Sequence, residues 1–416
     1  MTSINSPDDF SMRNLSYDAI PPSTTQSPNM DPDDPPRRAP VNSRSLVAVG
    51  MLCICIASFV IQSELAQFVQ QTSDYRKPYF ILYIGHSSYM LMLPLQFMTE
   101  YMKRFKSLQS TGIKNQCVEV FQSAYADFKV SLAELVRHVR PDDYQTTSLE
   151  DASEDQLIKT LRMSSQQTRY LIKISVSLAI MITVPAYLWY ITVNLISMAS
   201  LTAVYNTACF WAYLFSILLL GERIVTQKVL AVVLCVFGVL IMALWSSEDT
   251  DNRHNPLGIP LAVAGAVAYG YYEVFYKQYA SPVKATVLFA NVVTGLIGVT
   301  SLFILWVPIP ILHFSGYELF QLPSWTTLGY IFAIALTGVM YNAGFMCLIA
   351  LTNPVFAAVG IMLTIPAVAV ADVFVTGVMV PASTIAGSIC ILIGFAALSY
   401  ELSKDEDQED RDSVRD

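Results

Sequence analysis

LTAVYNTACFWAYLFSILLLGERIVTQKVLAVVLCVFGVLIMAL, running from Leu201 to Leu244, is two apolar stretches joined by a hairpin at Gly221, Glu222 and Arg223. Each stretch is near the ~20 residues that a helix needs to cross a bilayer. The pattern returns later in the chain: GERIVTQKVLAVVLCVFGVLIMAL from Gly221 lies over GVMVPASTIAGSICILIGFAALSY from Gly377. In that register Gly221 falls on Gly377, Ala231 on Gly387 and Gly238 on Gly394, each pair 156 positions apart. Small residues recurring inside matching apolar segments mark a chain built from two related halves.

The rest of the chain has the composition that such a hairpin needs around it. Of its 416 residues 54% are hydrophobic and 14% charged, against about 25% charged in soluble domains, so the chain is read as a polytopic membrane protein in contact with the lipid bilayer. The net charge of −8 comes from acids gathered in polar segments such as Asp142 to Asp155 and Lys404 to Asp416. It gives no support to nucleic-acid binding, which wants a basic patch, and no nucleic-acid partner is expected. Cys53, Cys55, Cys209, Cys235, Cys347 and Cys390 lie in apolar stretches and Cys117 in a polar one, without CxxC or Cys/His spacing, so no metal site and no cofactor is expected.

Apolar runs predict ten spans at about 46–70, 78–101, 170–190, 193–220, 226–246, 257–279, 284–308, 325–349, 354–376 and 382–400. Residues 1–45, rich in Pro, Ser and Asp, are expected as a disordered tail, and 401–416 as an acidic one. The first repeat then covers 46–246 with a polar insert at 102–168, and the second covers 257–400. Within the insert, Val118, Phe121, Tyr125, Phe128, Leu132 and Leu135 have helical spacing and predict an interfacial or docking helix. Basic residues including Arg37, Arg38, Arg44, Lys103, Arg104 and Lys106 flank one side, and Arg76, Lys77 and Arg253 the other. Both termini are therefore expected in the cytosol.

Ionisable residues inside a membrane helix are costly and so are candidates for function. Glu64, with Gln67 and Gln71 three and seven positions on, gives the first span a polar stripe; the competing reading is a carboxyl near enough to the helix end to reach interfacial water. Glu273 and Lys277 are spaced i, i+4 for an ion pair, beside Tyr269, Tyr272 and Tyr276, which offer flat hydrogen-bonding faces to a solute. An end-of-helix salt bridge would have the same spacing. Asp372 lies in LTIPAVAVADVFVTG, where Pro366 is expected to kink the helix and make it a gating element, with Asp372 carrying a coupling proton. Asn206, between Thr202 and Tyr213, gives the fourth span a polar face that can equally serve helix packing. Glu222 and Arg223 suit a structural or gate-closing pair in the hairpin. Nothing in the chain pairs a nucleophile with a base, and no Walker lysine follows a glycine loop, so neither an enzyme nor an ATP-driven pump is expected.

At four stretches the chain resembles the EamA-like drug/metabolite transporter superfamily, and within it the F subfamily of solute carrier 35, relatives of the nucleotide-sugar transporters. They are SELAQFV from Ser63, YRKPYFILYIGHSS from Tyr75, the LLLGERIVTQKVLAVVLCVFGVLI hairpin, and LTIPAVAVADVFVTG from Leu363. The resemblance implies an all-α membrane protein of ten transmembrane helices in two inverted five-helix repeats, with a solute cavity opening alternately to each side. The acidic turn is not duplicated, because Gly377-Val378 stands where the first half has Gly221-Glu222. A nucleotide sugar would want cavity cations for its phosphates, and Lys277 is the single candidate.

The expectation is a secondary transporter of an organic solute or metabolite in an internal membrane, vacuolar or Golgi. Its cavity or gate residues are Glu64, Asn206, Tyr272, Glu273, Lys277 and Asp372, and a homodimer is left open. The alternative is a receptor or scaffold recruiting partners through the insert and tails.

Overall fold

The computed structural model describes residues 43–73, 75–105, 112–139, 164–221, 224, 226–245, 256–282, 286–351, 360–377 and 379–413. The tail expected before residue 43, the acidic run after 140, Glu222 and Arg223 in the hairpin, and the interruption at Asn353-Pro354 lie outside these residues. Among the described residues all regular structure is helical. The helices are α1 Ser43–Gln71, α2 Pro78–Ser88, α3 Met92–Arg104, α4 Ile113–Val139, α5 Ser165–Thr192, α6 Met198–Tyr205 and α7 Ala208–Phe215, followed by α8 Thr226–Leu244, α9 Gly258–Ala280, α10 Val287–Ile304, α11 Pro308–Phe314, α12 Trp325–Leu351, α13 Thr364–Thr376 and α14 Ala382–Ser413. Five stretches among them are long and apolar enough to cross a membrane: Val47–Gln71, Ser165–Thr192, Met198–Leu219, Val287–Ile304 and Trp325–Leu348. Ile180, Leu230, Phe303 and Phe374 point outward on the surface, as lipid-facing residues do. Trp306, Tyr317 and Trp325 are exposed around α11, where an aromatic belt would sit.

Local chemistry sets the ends. Thr286 and Ser197 cap α10 and α6 by accepting the N–H of Phe289 (3.2 Å) and of Ser200 (3.2 Å). At Ser164, before α5, the backbone N–H is taken by the Gln167 side chain at 3.0 Å. Gly221 and Gly377 leave their helices with φ of 68° and 70°, a left-handed conformation that glycine adopts without a Cβ penalty.

Three expected spans differ in detail from the structure. The span over 78–101 is two helices joined by a tight turn at Tyr89–Leu91, because Pro94 has no N–H for the Met90 carbonyl. The span over 193–220 begins at Met198 and breaks at Asn206-Thr207. There Asn206 Nδ2 donates to the Thr202 carbonyl (2.8 Å) and Thr207 Oγ1 to that of Val204 (2.6 Å), side chains competing with the helix for its own acceptors. Pro366 does not kink α13. It falls in the first turn of that helix, where a missing N–H leaves no bond unmade.

The closest packing uses the small residues. α1 lies along α12, α8 along α14, α9 against α5 and α7, and α13 against both α1 and α6. A Cβ on Gly238 would stand 2.7 Å from the Gly387 carbonyl oxygen, and one on Gly394 would stand 2.8 Å from that of Ala231. Phe210 and Phe395 meet edge to face beside this seam, with ring centroids 6.5 Å apart.

The helix foreseen in the polar insert is α4, but its inner face is already occupied. Phe128, Leu132, Leu135 and Val136 are buried with Ile174, Leu178, Leu288 and Phe289 of the bundle, while Val118 and Phe121 stay exposed. The rings of Phe128 and Phe289 stack at 5.1 Å. An ionic clasp ties the same helix to α3: Arg104 reaches Glu100 at 3.1 Å and Asp127 at 2.7 Å. Phe128→Ala is accordingly expected to cost roughly 3 kcal/mol of stability, read as a lower unfolding midpoint of the purified protein, and Phe121→Ala close to nothing.

Candidate functional site

The polar stripe foreseen on α1 is real and divides into two jobs. At its C-terminal end Gln71 Nε2 donates to the Val193 carbonyl at 2.8 Å, and Gln70 Oε1 accepts from Asn194 Nδ2 at 2.9 Å. These bonds fasten α1 to the turn between α5 and α6. One to two turns earlier, Glu64 is buried at 8% exposure, and both of its carboxyl oxygens lack a hydrogen-bond partner. Gln67 Oε1 is likewise buried without a donor. The competing idea, that Glu64 escapes to interfacial water, does not fit that burial.

Asp372 comes to the same place from α13. It is 5% exposed, and its Oδ2 accepts the N–H of Ala199 at 3.3 Å, at the positive end of the α6 dipole. One residue on, Ser200 Oγ and Thr384 Oγ1 are 2.8 Å apart and link α6 to α14. The Asp372 carboxyl is near enough to Glu64 to act on it electrostatically. Two acids 308 positions apart in sequence therefore share one neighbourhood between α1, α6 and α13.

A second polar centre surrounds Glu273. Tyr269 and Tyr272 stack at 5.9 Å and Tyr272 and Tyr276 lie at 6.2 Å along α9. Glu273 is half-buried and within Coulombic reach of Tyr269, Tyr272, Tyr341 and Cys209. Tyr89 couples to Tyr269 and Tyr272 and bonds the Asn342 side chain. Cys209 Sγ lies 3.2 Å from the Asn206 carbonyl, which brings the helix break to the edge of this centre. Lys277, one turn beyond Glu273, is exposed.

Five of the six residues singled out from sequence fall in two groups, Glu64 with Asp372, and Tyr272 with Glu273 and Asn206, and Lys277 lies on the exposed surface one turn beyond Glu273. Sequence reading missed Tyr89 and Tyr341. Their signal was a tyrosine next to other polar residues inside an apolar span, in IGHSSYML and VMYNAGF, a feature too common to single out alone. It also missed Glu318, whose carboxylate takes the N–H groups of Tyr79 (3.1 Å) and Phe80 (3.2 Å) at the start of α2. Burial pushes the Glu318 carboxyl above its ordinary value, and those two donors and Lys77 pull it back. Tyr75 and Tyr79 hydroxyls bond the carbonyls of Gln321 (2.7 Å) and Leu305 (3.0 Å), so the YRKPY stretch is laced to the segment around α11.

The arrangement offers ring faces and hydroxyls beside one acid, and two further acids in a buried corner. Such groups bind, orient and exchange a solute or a cation.

No family model matches the chain. Over 211 residues it is 29% identical to an uncharacterized transporter of Schizosaccharomyces pombe, a match that covers 49% of this chain and 61% of that one, so the chain spans less than two thirds of that relative. A thiamine-repressible mitochondrial transport protein of Saccharomyces cerevisiae is 23% identical over 87% of this chain and 94% of its own length. Solute carrier family 35 member F5 of Macaca fascicularis is 30% identical over 42% of this chain and 40% of its own.

Proposed function

We propose that this chain, a relative of membrane transporters that include F-type members of solute carrier family 35, is a secondary transporter moving an organic solute across an internal membrane by alternating access. Its ten spans form two inverted five-helix repeats, and the tyrosines around Glu273 form part of the solute cavity. The observation that carries this reading is a contact made twice. Gly238 meets Gly387, and Gly394 meets Ala231; in the register of 156 positions Gly387 corresponds to Ala231 and Gly394 to Gly238. Surfaces related by a two-fold axis touch in this reciprocal way. The matched left-handed caps at Gly221 and Gly377 have the same relation. Halves related by such an axis can rock against each other around a central site, which is the motion that alternating access needs.

The reading sets an order of importance within α9. Glu273→Gln, at the centre of the tyrosine group, should lower uptake by at least roughly tenfold. Lys277→Ala, on the exposed turn, should lower it by less than about half. Uptake by vesicles at matched protein abundance measures both, and a larger loss in Lys277→Ala would place the cavity elsewhere.

An even number of spans and the basic-residue bias put both termini in the cytosol. Protease added to sealed organelles should remove epitope tags from both ends. Protection of either tag would break the inverted arrangement.

A further inference from the structure

We infer that Glu64 and Asp372 form one site for the positively charged group of an organic solute, an ammonium or a cationic nitrogen heterocycle. The inference rests on the transport reading above and names the chemistry of its cargo.

Burying a carboxylate is costly unless a donor or a cation meets it. Asp372 has the Ala199 N–H at the start of α6. Glu64 is 92% buried by its 8% exposure, and both of its oxygens are without a donor. The second acid, close enough to repel it, makes the requirement for positive charge larger. Of the other unpartnered buried atoms on α1 and α6, Gln67 Oε1 is an acceptor and Ser63 Oγ and Thr202 Oγ1 are hydroxyls that can also accept, while Gln70 Nε2, nearly two turns beyond Glu64, is a donor. One bound positive charge meets the two carboxyls and the acceptors beside them, whereas an anionic group would add repulsion and a neutral one would leave the charge uncompensated.

The aromatic groups point to an organic bearer of that charge. Five residues before Glu64 on α1, or about 7.5 Å along the helix, the Phe59 ring meets Tyr341 at 5.6 Å. Tyr341 in turn belongs to the group around Glu273. Ring contacts therefore run from α1 to the tyrosines around Glu273. Ring faces attract organic cations and accept their apolar bodies.

The test reads binding, not transport. Thermal unfolding of the purified full-length protein in detergent is followed with choline, tetraethylammonium and N-methylpyridinium. Controls are the neutral carbon isostere of choline and sodium or potassium chloride at the same ionic strength. At least one organic cation should raise the midpoint by roughly 3 °C, the isostere and the inorganic salts should not, and the rise should fall by at least half in Glu64→Gln and in Asp372→Asn. The inference is overturned if no organic cation stabilises the protein, if the isostere or sodium does so equally, or if both variants keep the full rise. Because the wild-type comparison of choline with its isostere stands alone, poor folding of a variant does not blunt it. Uptake of an uncharged solute by a protein that ignores these cations would sink this inference and leave the transport reading intact.

Discussion

Leucine at Gly238 is expected to leave little folded protein in the membrane, and leucine at Gly394 to do the same. A Cβ alone would press to 2.7 Å from the Gly387 carbonyl at the first position and to 2.8 Å from the Ala231 carbonyl at the second. In both cases the obstacle is backbone, which cannot swing aside as a side-chain tip can. An isobutyl group would force α8 and α14 apart and unpack Phe210 from Phe395. Overpacking of this kind costs about 1–3 kcal/mol, and more where the obstacle is backbone, a large fraction of the stability of any domain. Gly50 and Gly329 have open space where a Cβ would stand and serve as controls. The measurement is the fraction of monodisperse protein after detergent extraction. Equal damage at Gly238 and Gly394 with none at Gly50 is the predicted pattern, and tolerance at either seam position would remove the reciprocal contact on which the two-repeat reading stands.

The second large effect is functional. Asp372→Asn should keep near-normal abundance yet lose uptake by more than roughly tenfold. The bond that Asp372 makes to Ala199 needs an acceptor oxygen, and asparagine supplies one through its side-chain carbonyl, so the start of α6 stays capped. The negative charge disappears, and with it the attraction for a proton or cation. If the acidic pair couples uptake to a proton, an imposed pH gradient should accelerate the wild type and leave Asp372→Asn indifferent. Equal gradient responses would assign coupling elsewhere, and normal uptake by the variant would reduce Asp372 to a helix cap.

How much of this was legible in the sequence depended on the range of the interaction. The Gly221 hairpin, the register of 156 positions and the polar stripe of Glu64, Gln67 and Gln71 were readable, because periodicity and small-residue spacing are local facts. The broken helix at Tyr89–Leu91 had its cause in view at Pro94, only a few residues away. The inner face of α4 was visible as an apolar spacing, yet its destination was not. Nothing near Phe128 announces Phe289 as its partner. Likewise the pairing of Glu64 with Asp372, the capping of α2 by Glu318 and the gathering of Tyr89 and Tyr341 around Glu273 exist only once distant helices are packed. The misplaced kink at Pro366 has a different origin. Proline is expelled from helix interiors but welcome in the first turn, and the choice depends on where the helix begins.

Transport itself is tested most directly by reconstitution. Purified wild-type protein and the Glu64→Gln/Asp372→Asn double variant, in liposomes of the same composition, are given an extract of small metabolites, and the lumenal contents are compared with those of protein-free liposomes. The account predicts that at least one organic solute accumulates with the wild type and falls to the protein-free level with the double variant. Identical contents in all three preparations would contradict it.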